Sequence, residues 1–138
     1  MPAKFKFKLE ALLEHRRLIE KERQRDVAKI QQEIQTILRH IQDTQARIVQ
    51  ENRTLGAREL TGKLDMQYIA HEKRFIGALQ VRIILAAQKL GELEKMLNEA
   101  RARLFHAAQQ RKIIEKLREK QFAEWRQEMD RKEAAILD

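Results

Sequence analysis

Apolar residues recur at spacings of three and four along most of the chain, and the recurrence lapses once. Val27, Ile30, Ile34, Ile37, Ile41, Ile48 and Leu55 make up one run. After a break at Gly56–Gly62, Phe75, Leu79, Ala86, Leu90, Leu93, Leu97, Ala100, Leu104 and Ala107 make up another. This period predicts amphipathic helices. The stripe is narrow, so it can cover one neighbouring helix but cannot close a globular core. No segment alternates with period two over a useful length, which argues against a β fold. The expected architecture is all-α: two long helices in an antiparallel coiled-coil hairpin, the second longer, forming a single domain. Helix one spans about residues 4–55, the turn about 56–64 and helix two about 65–137.

The seam has polar exceptions. Thr44 and Glu51 interrupt it in helix one, and upstream of Val27 the same register gives Leu9 and Leu13, then Arg16, Glu20 and Arg23. Three successive polar positions weaken the apolar seam there or serve another partner. Gly56 is a natural stop for helix one, because glycine adopts the left-handed C-cap at least cost. Thr61 and Asp65 are candidate N-caps for helix two. Gly77 and Gly91 lie inside a continuing stripe and read as interior glycines, each about 1 kcal/mol less favourable than alanine.

A turn centred near residue 59 sets the facing register. It places Leu9 near Lys112 and Ile34 near Leu85 or Ala86. It also leaves Gln121–Asp138 as an unpaired tail, on which Phe122, Trp125 and Met129 form an exposed stripe suited to a partner or to self-association. Tyr68, Phe75 and Leu79 cluster after the turn, either packed on Ile41 and Ile48 or presented as a docking face.

Charge changes this picture. The chain is 36% charged, 5% aromatic and carries a net charge of +8. The excess is concentrated in residues 1–25 and 101–126, which an antiparallel hairpin brings together at its open end. Such a basic end could neutralise phosphates, but Lys4, Lys6, Lys8, Arg16 and Arg17 are interleaved with Glu10, Glu14, Glu20 and Glu22. Phe5 and Phe7 offer no stacking platform in this reading, and nucleic acid is not an expected partner.

Composition also excludes chemistry. There is no cysteine and no serine, and the four histidines are dispersed. His71–Glu72 begins like a zinc-binding helix motif, yet position 75 is Phe where a second His is required. No glycine-rich phosphate loop occurs, and a two-helix rod lacks an enclosing pocket. No enzymatic activity, cofactor or metal is expected. No apolar run approaches the length that spans a bilayer, and no signal-peptide pattern is evident. A cytoplasmic protein is expected.

The opening FKFKLEALLEHRRLIEKERQ and the closing IIEKLREKQFAEWRQEMDRKEAAILD resemble the two ends of the FliJ family of flagellar export proteins. RFIGAL, Arg74 to Leu79, resembles that family's short motif after the turn. The resemblance covers nearly the whole chain. It implies a two-helix coiled coil similar to the central stalk of rotary ATPases, working in the cytoplasm beneath the type III export apparatus and associated with the membrane only indirectly. The implied partners are the hexameric flagellar export ATPase, a membrane-embedded export gate protein and export chaperones. The ATPase-facing end would comprise Leu9, Leu13, Arg16, Arg17, Glu20, Arg118, Trp125 and Met129, and gate contact would fall on Phe75 and Leu79. The tyrosines that the family carries on the facing part of helix one have no counterpart here, where Ile34, Ile37, Leu38 and Ile41 stand. A virulence-secretion stalk is the alternative within the same class, and a nucleic-acid-binding or scaffolding coiled coil the alternative outside it. A monomeric hairpin and a swapped dimer both satisfy the stripe.

Overall fold

The structure is a computed structural model that describes residues 4–60 and 65–137. Among these residues the regular structure is two helices, α1 over Glu10–Leu60 and α2 over Met66–Leu137, of 51 and 72 residues. The antiparallel helix pair expected from the stripe is therefore observed, with α2 the longer. The chain divides into two compact units: Met1–Val27 with Glu99–Asp138, and Ala28–Asn98.

In the unit Ala28–Asn98 the seam follows the apolar period. Leu55, Ile76, Leu79, Leu93 and Leu97 are buried, and Ile30, Ile34, Ile37, Ile41, Ile48, Phe75, Ala86 and Leu90 are partly covered. Thr44 is buried despite its hydroxyl, because Oγ1 donates to the His40 carbonyl at 2.7 Å. A polar group satisfied within its own helix can occupy a seam at little cost. The helices run antiparallel across this unit, with Arg58 stacked over Tyr68 at 4.2 Å and Arg47 over Phe75 at 5.3 Å.

Asp65 caps α2 as expected: Gln67 N–H donates to its Oδ1 at 3.0 Å, and its carbonyl accepts from Ile69 N–H at 3.0 Å. Thr61, the other candidate cap, lies outside the described residues, as does Gly62. Gly56 does not stop α1. The helix continues through it to Leu60, and a Cβ placed on Gly56 would meet nothing within 4 Å. A single interior glycine costs too little to end a helix whose apolar face continues through Leu55.

At the other end α1 begins at Glu10, not near Lys4. Residues 4–7 are irregular, and Glu10 N–H donates to the Phe7 carbonyl at 3.2 Å. Here KFKFK obeys a period of two: Phe7 is buried and Phe5 half-buried, while Lys4, Lys6 and Lys8 are exposed. The short alternation escapes a search tuned to helical spacing.

These boundaries change the register. α1 ends at Leu60 and α2 begins at Met66, so the midpoint between the helices lies later in the chain than residue 59. In an antiparallel pair each residue by which that midpoint moves shifts the facing position by two. Within the unit of the chain ends, Glu10 meets Arg118, well beyond the position near Lys112 expected for its neighbour Leu9.

Candidate functional site

In the unit built from both chain ends, one of the polar seam positions, Glu20, and the flanking Glu10 and Arg17 find charged partners on the opposite helix. Glu20 Oε2 accepts from Arg111 Nε, and Arg111 Nη1 also donates to Glu115 Oε2 at 2.6 Å. Arg17 Nη2 reaches Glu115 Oε1 at 3.5 Å. About two turns beyond Arg111 on α2, Arg118 Nε donates to Glu10 Oε2 at 2.9 Å. The Glu20 and Arg111 side chains are 15% and 22% exposed, so this pair is far less screened than a surface one. The hydrogen bond that Arg111 donates to Glu20 is the largest influence raising the Arg111 pKa from its ordinary value.

Aromatic residues close the same end. Phe5 meets Phe122 edge-on at 5.3 Å and Trp125 at 5.8 Å, while Phe122 and Trp125, one helical turn apart, stack at 5.8 Å. Arg118 lies over the Phe5 ring at 5.7 Å, which ties the ion pair to the aromatic cluster. Aromatic pairs of this geometry contribute about 0.5–1.5 kcal/mol each beyond area burial. The expected unpaired stripe is corrected accordingly. Phe122 remains 38% exposed, but it and Trp125 have a partner in Phe5, and Met129 is half-buried. Within this unit the N-terminal segment faces α2 further along than expected, as the Glu10–Arg118 pair also shows.

The expected site residues thus separate by environment. Leu13 is 0% exposed and belongs to the core, whereas Leu9 is at the surface. Arg17 is accessible, Glu20 is engaged by Arg111, Arg118 is shared between Glu10 and Phe5, and Trp125 is held by two rings. Arg16 is half-buried, and its Nε is shut off from water without a hydrogen-bond partner. It lines a groove of about 410 Å³ together with residues of α2. Phe5, Phe7, Glu10, Arg111 and Glu115 complete this end and were not singled out from sequence as contributors to it. The alternation at Phe5 and Phe7 was the available signal for the first two.

In the unit Ala28–Asn98, Phe75 is half-buried beneath Arg47, and Leu79 is 5% exposed within the seam. Glu72 sits close to Glu51. The adjoining Glu51 carboxyl, which favours a shared proton, and then burial raise the Glu72 pKa from its ordinary value. Glu51 is also paired with Arg47 at 3.5 Å.

A family model described as flagellar FliJ protein matches residues 5–138, which takes in both chain ends and the residues of the paired end just described. The chain belongs to the FliJ family. No curated protein and no solved structure gives a significant match. The FliJ family is a non-catalytic component of flagellar type III export, and that coarse role comes with membership. Among the described residues, no helix is long and apolar enough to cross a membrane, and no group of three or more His, Cys, Asp or Glu residues is arranged to hold a metal ion.

Proposed function

We propose that this FliJ-family chain is a stalk-like adaptor of the flagellar export apparatus, working at the cytoplasmic face of the membrane. It binds the hexameric export ATPase through its paired chain ends and contacts the membrane-embedded export gate near the turn, with export chaperones as further partners. The observation that carries this reading is the cross-helix locking of the two basic segments by Arg118–Glu10, Arg111–Glu20 and Phe5–Trp125. A partner meeting this end sees residues of both helices in one fixed arrangement. Such an arrangement can favour one ring conformation over another by differential contact alone.

Within that surface, Leu9, Arg17, Arg118, Trp125 and Met129 supply the accessible contacts. Leu13 and Glu20 act by holding the helices in register, and Arg16 presents its guanidinium along the groove. At the turn end, Phe75 supplies the accessible apolar surface and Leu79 positions the helix from within the seam. Simultaneous Arg16→Glu and Arg17→Glu substitution is expected to abolish co-purification with the ATPase and stimulation of its activity, while the helical circular dichroism signal is retained. Undiminished stimulation by a folded double variant would refute the reading.

A further inference from the structure

The groove at the paired end is more than a basic patch. Arg16, Arg23 and Arg103 line it, while Ile19, Ala102 and Ala107 supply apolar wall and floor. Ala107 is buried and Ile19 half-buried. The small alanines on α2 are what leave the space open. His106 also lines the groove.

The three guanidiniums differ in what already satisfies them. Arg23 holds Asp26 at 3.1 Å and Arg103 holds Glu99 at 3.9 Å, each a neighbour on its own helix. Arg16 Nε is withdrawn from water and has no such partner. A charged donor left in that state is costly, and a carboxylate in the groove would relieve it by drawing the Arg16 guanidinium outward into a charge-assisted pair. A polyphosphate is the poorer occupant. It would have to take Arg23 and Arg103 from their present carboxylates and would desolvate the apolar floor without covering it with apolar atoms.

We infer that this groove is a receptor for an acidic amphipathic segment of a protein partner, which places a carboxylate on Arg16 and an adjacent apolar side chain on Ile19 and Ala107. This deepens the reading of the paired end as a partner-binding surface and rests on it, while naming the chemistry of what binds there.

The full chain, labelled with nitrogen-15, is titrated with a short blocked helical peptide of Ala, Leu and Glu in which each Leu is followed one turn later by Glu. Saturable shifts at the Arg16 Nε–H and at the backbone amides of Ala102 and Ala107 support the inference. So does a loss of affinity of about tenfold or more in Arg16→Gln. Ala102→Leu, which fills the groove from an exposed position without removing charge, is expected to weaken binding as well, and it keeps the test decisive if Arg16→Gln unfolds.

The same peptide with Gln for Glu binding equally, inorganic pyrophosphate reproducing the Arg16 shift, or shifts confined to Lys4, Lys6 and Lys8 would each overturn the inference. Absence of saturable binding would do the same. Co-purification of the ATPase with the wild-type chain, run in parallel, separates the two readings. Its failure removes the proposed partner, whereas its success with undiminished recovery by Ala102→Leu and Arg16→Gln removes only the groove.

Discussion

The two compact units use the same helix pair in different ways. In Ala28–Asn98 the helices meet through leucines and isoleucines, and the ion pairs Arg47–Glu51 and Lys89–Glu92 each stay within one helix. In the unit of paired ends, Arg17–Glu115, Arg111–Glu20 and Arg118–Glu10 all cross from one helix to the other. Apolar contact is non-directional and tolerates neighbouring registers, whereas a guanidinium–carboxylate pair has one good geometry. The comparison teaches that apolar positions supply cohesion and the cross-helix ion pairs of the chain ends supply register. Register is what a partner surface composed of two helices requires.

The largest effect should ignore this difference. Leu13→Ala and Leu93→Ala remove side chains 0% and 1% exposed, one in each unit. Each is expected to cost about 2–4 kcal/mol by urea denaturation. A cost under about 1 kcal/mol at Leu13 would mean that the paired ends are not packed as described.

The next effect should expose the difference. Arg111→Ala is expected to destabilise by about 1–3 kcal/mol, because it leaves Glu20 partly buried and unpaired. Lys89→Ala, which loses only an exposed intrahelical pair at 3.9 Å, should change stability by less than about 0.5 kcal/mol. A double-mutant cycle on Glu20 and Arg111 isolates the coupling, and a value near zero would remove the polar register from the account.

Smaller again is Gly91→Ala. A Cβ there meets nothing within 4 Å, so the substitution should raise stability by about 0.5–1 kcal/mol through helix propensity alone.

The smallest effect concerns the adjoining carboxyls of Glu51 and Glu72. The raised Glu72 pKa means that the folded state binds a proton more readily than the unfolded chain does. Its contribution to stability is therefore greatest below the ordinary carboxylate range and is lost as pH rises through the folded value. Glu72→Gln should abolish that part of the profile and give a slightly higher melting temperature at neutral pH. Identical pH profiles for variant and wild type in thermal melts would show that Glu51 and Glu72 do not meet.

Much of the fold was legible because helical burial leaves a local signature. Val27, Ile41, Leu55, Leu93 and Ala107 announce a face by spacing, and Asp65 announces a cap by residue type and position. The site was only partly legible. Arg16, Glu20 and Arg23 were visible as breaks in the stripe, but nothing local says that Glu20 meets Arg111 or that Glu10 meets Arg118. Those pairings depend on the facing register, which no local pattern encodes, and Gly56, which reads as a stop, lies inside α1.

By itself, then, the sequence determined the two helices, their apolar faces, the concentration of charge at both chain ends and the family. The tertiary structure decided the facing register. It folded Phe5 onto Phe122 and Trp125, drew Leu79 into the seam, and opened the groove beside Arg16. The physical reason is that helix formation and face choice are settled within a few turns of chain. Which side chains meet across the pair is set instead by packing between segments far apart in sequence, as in Glu20 with Arg111 and Glu10 with Arg118.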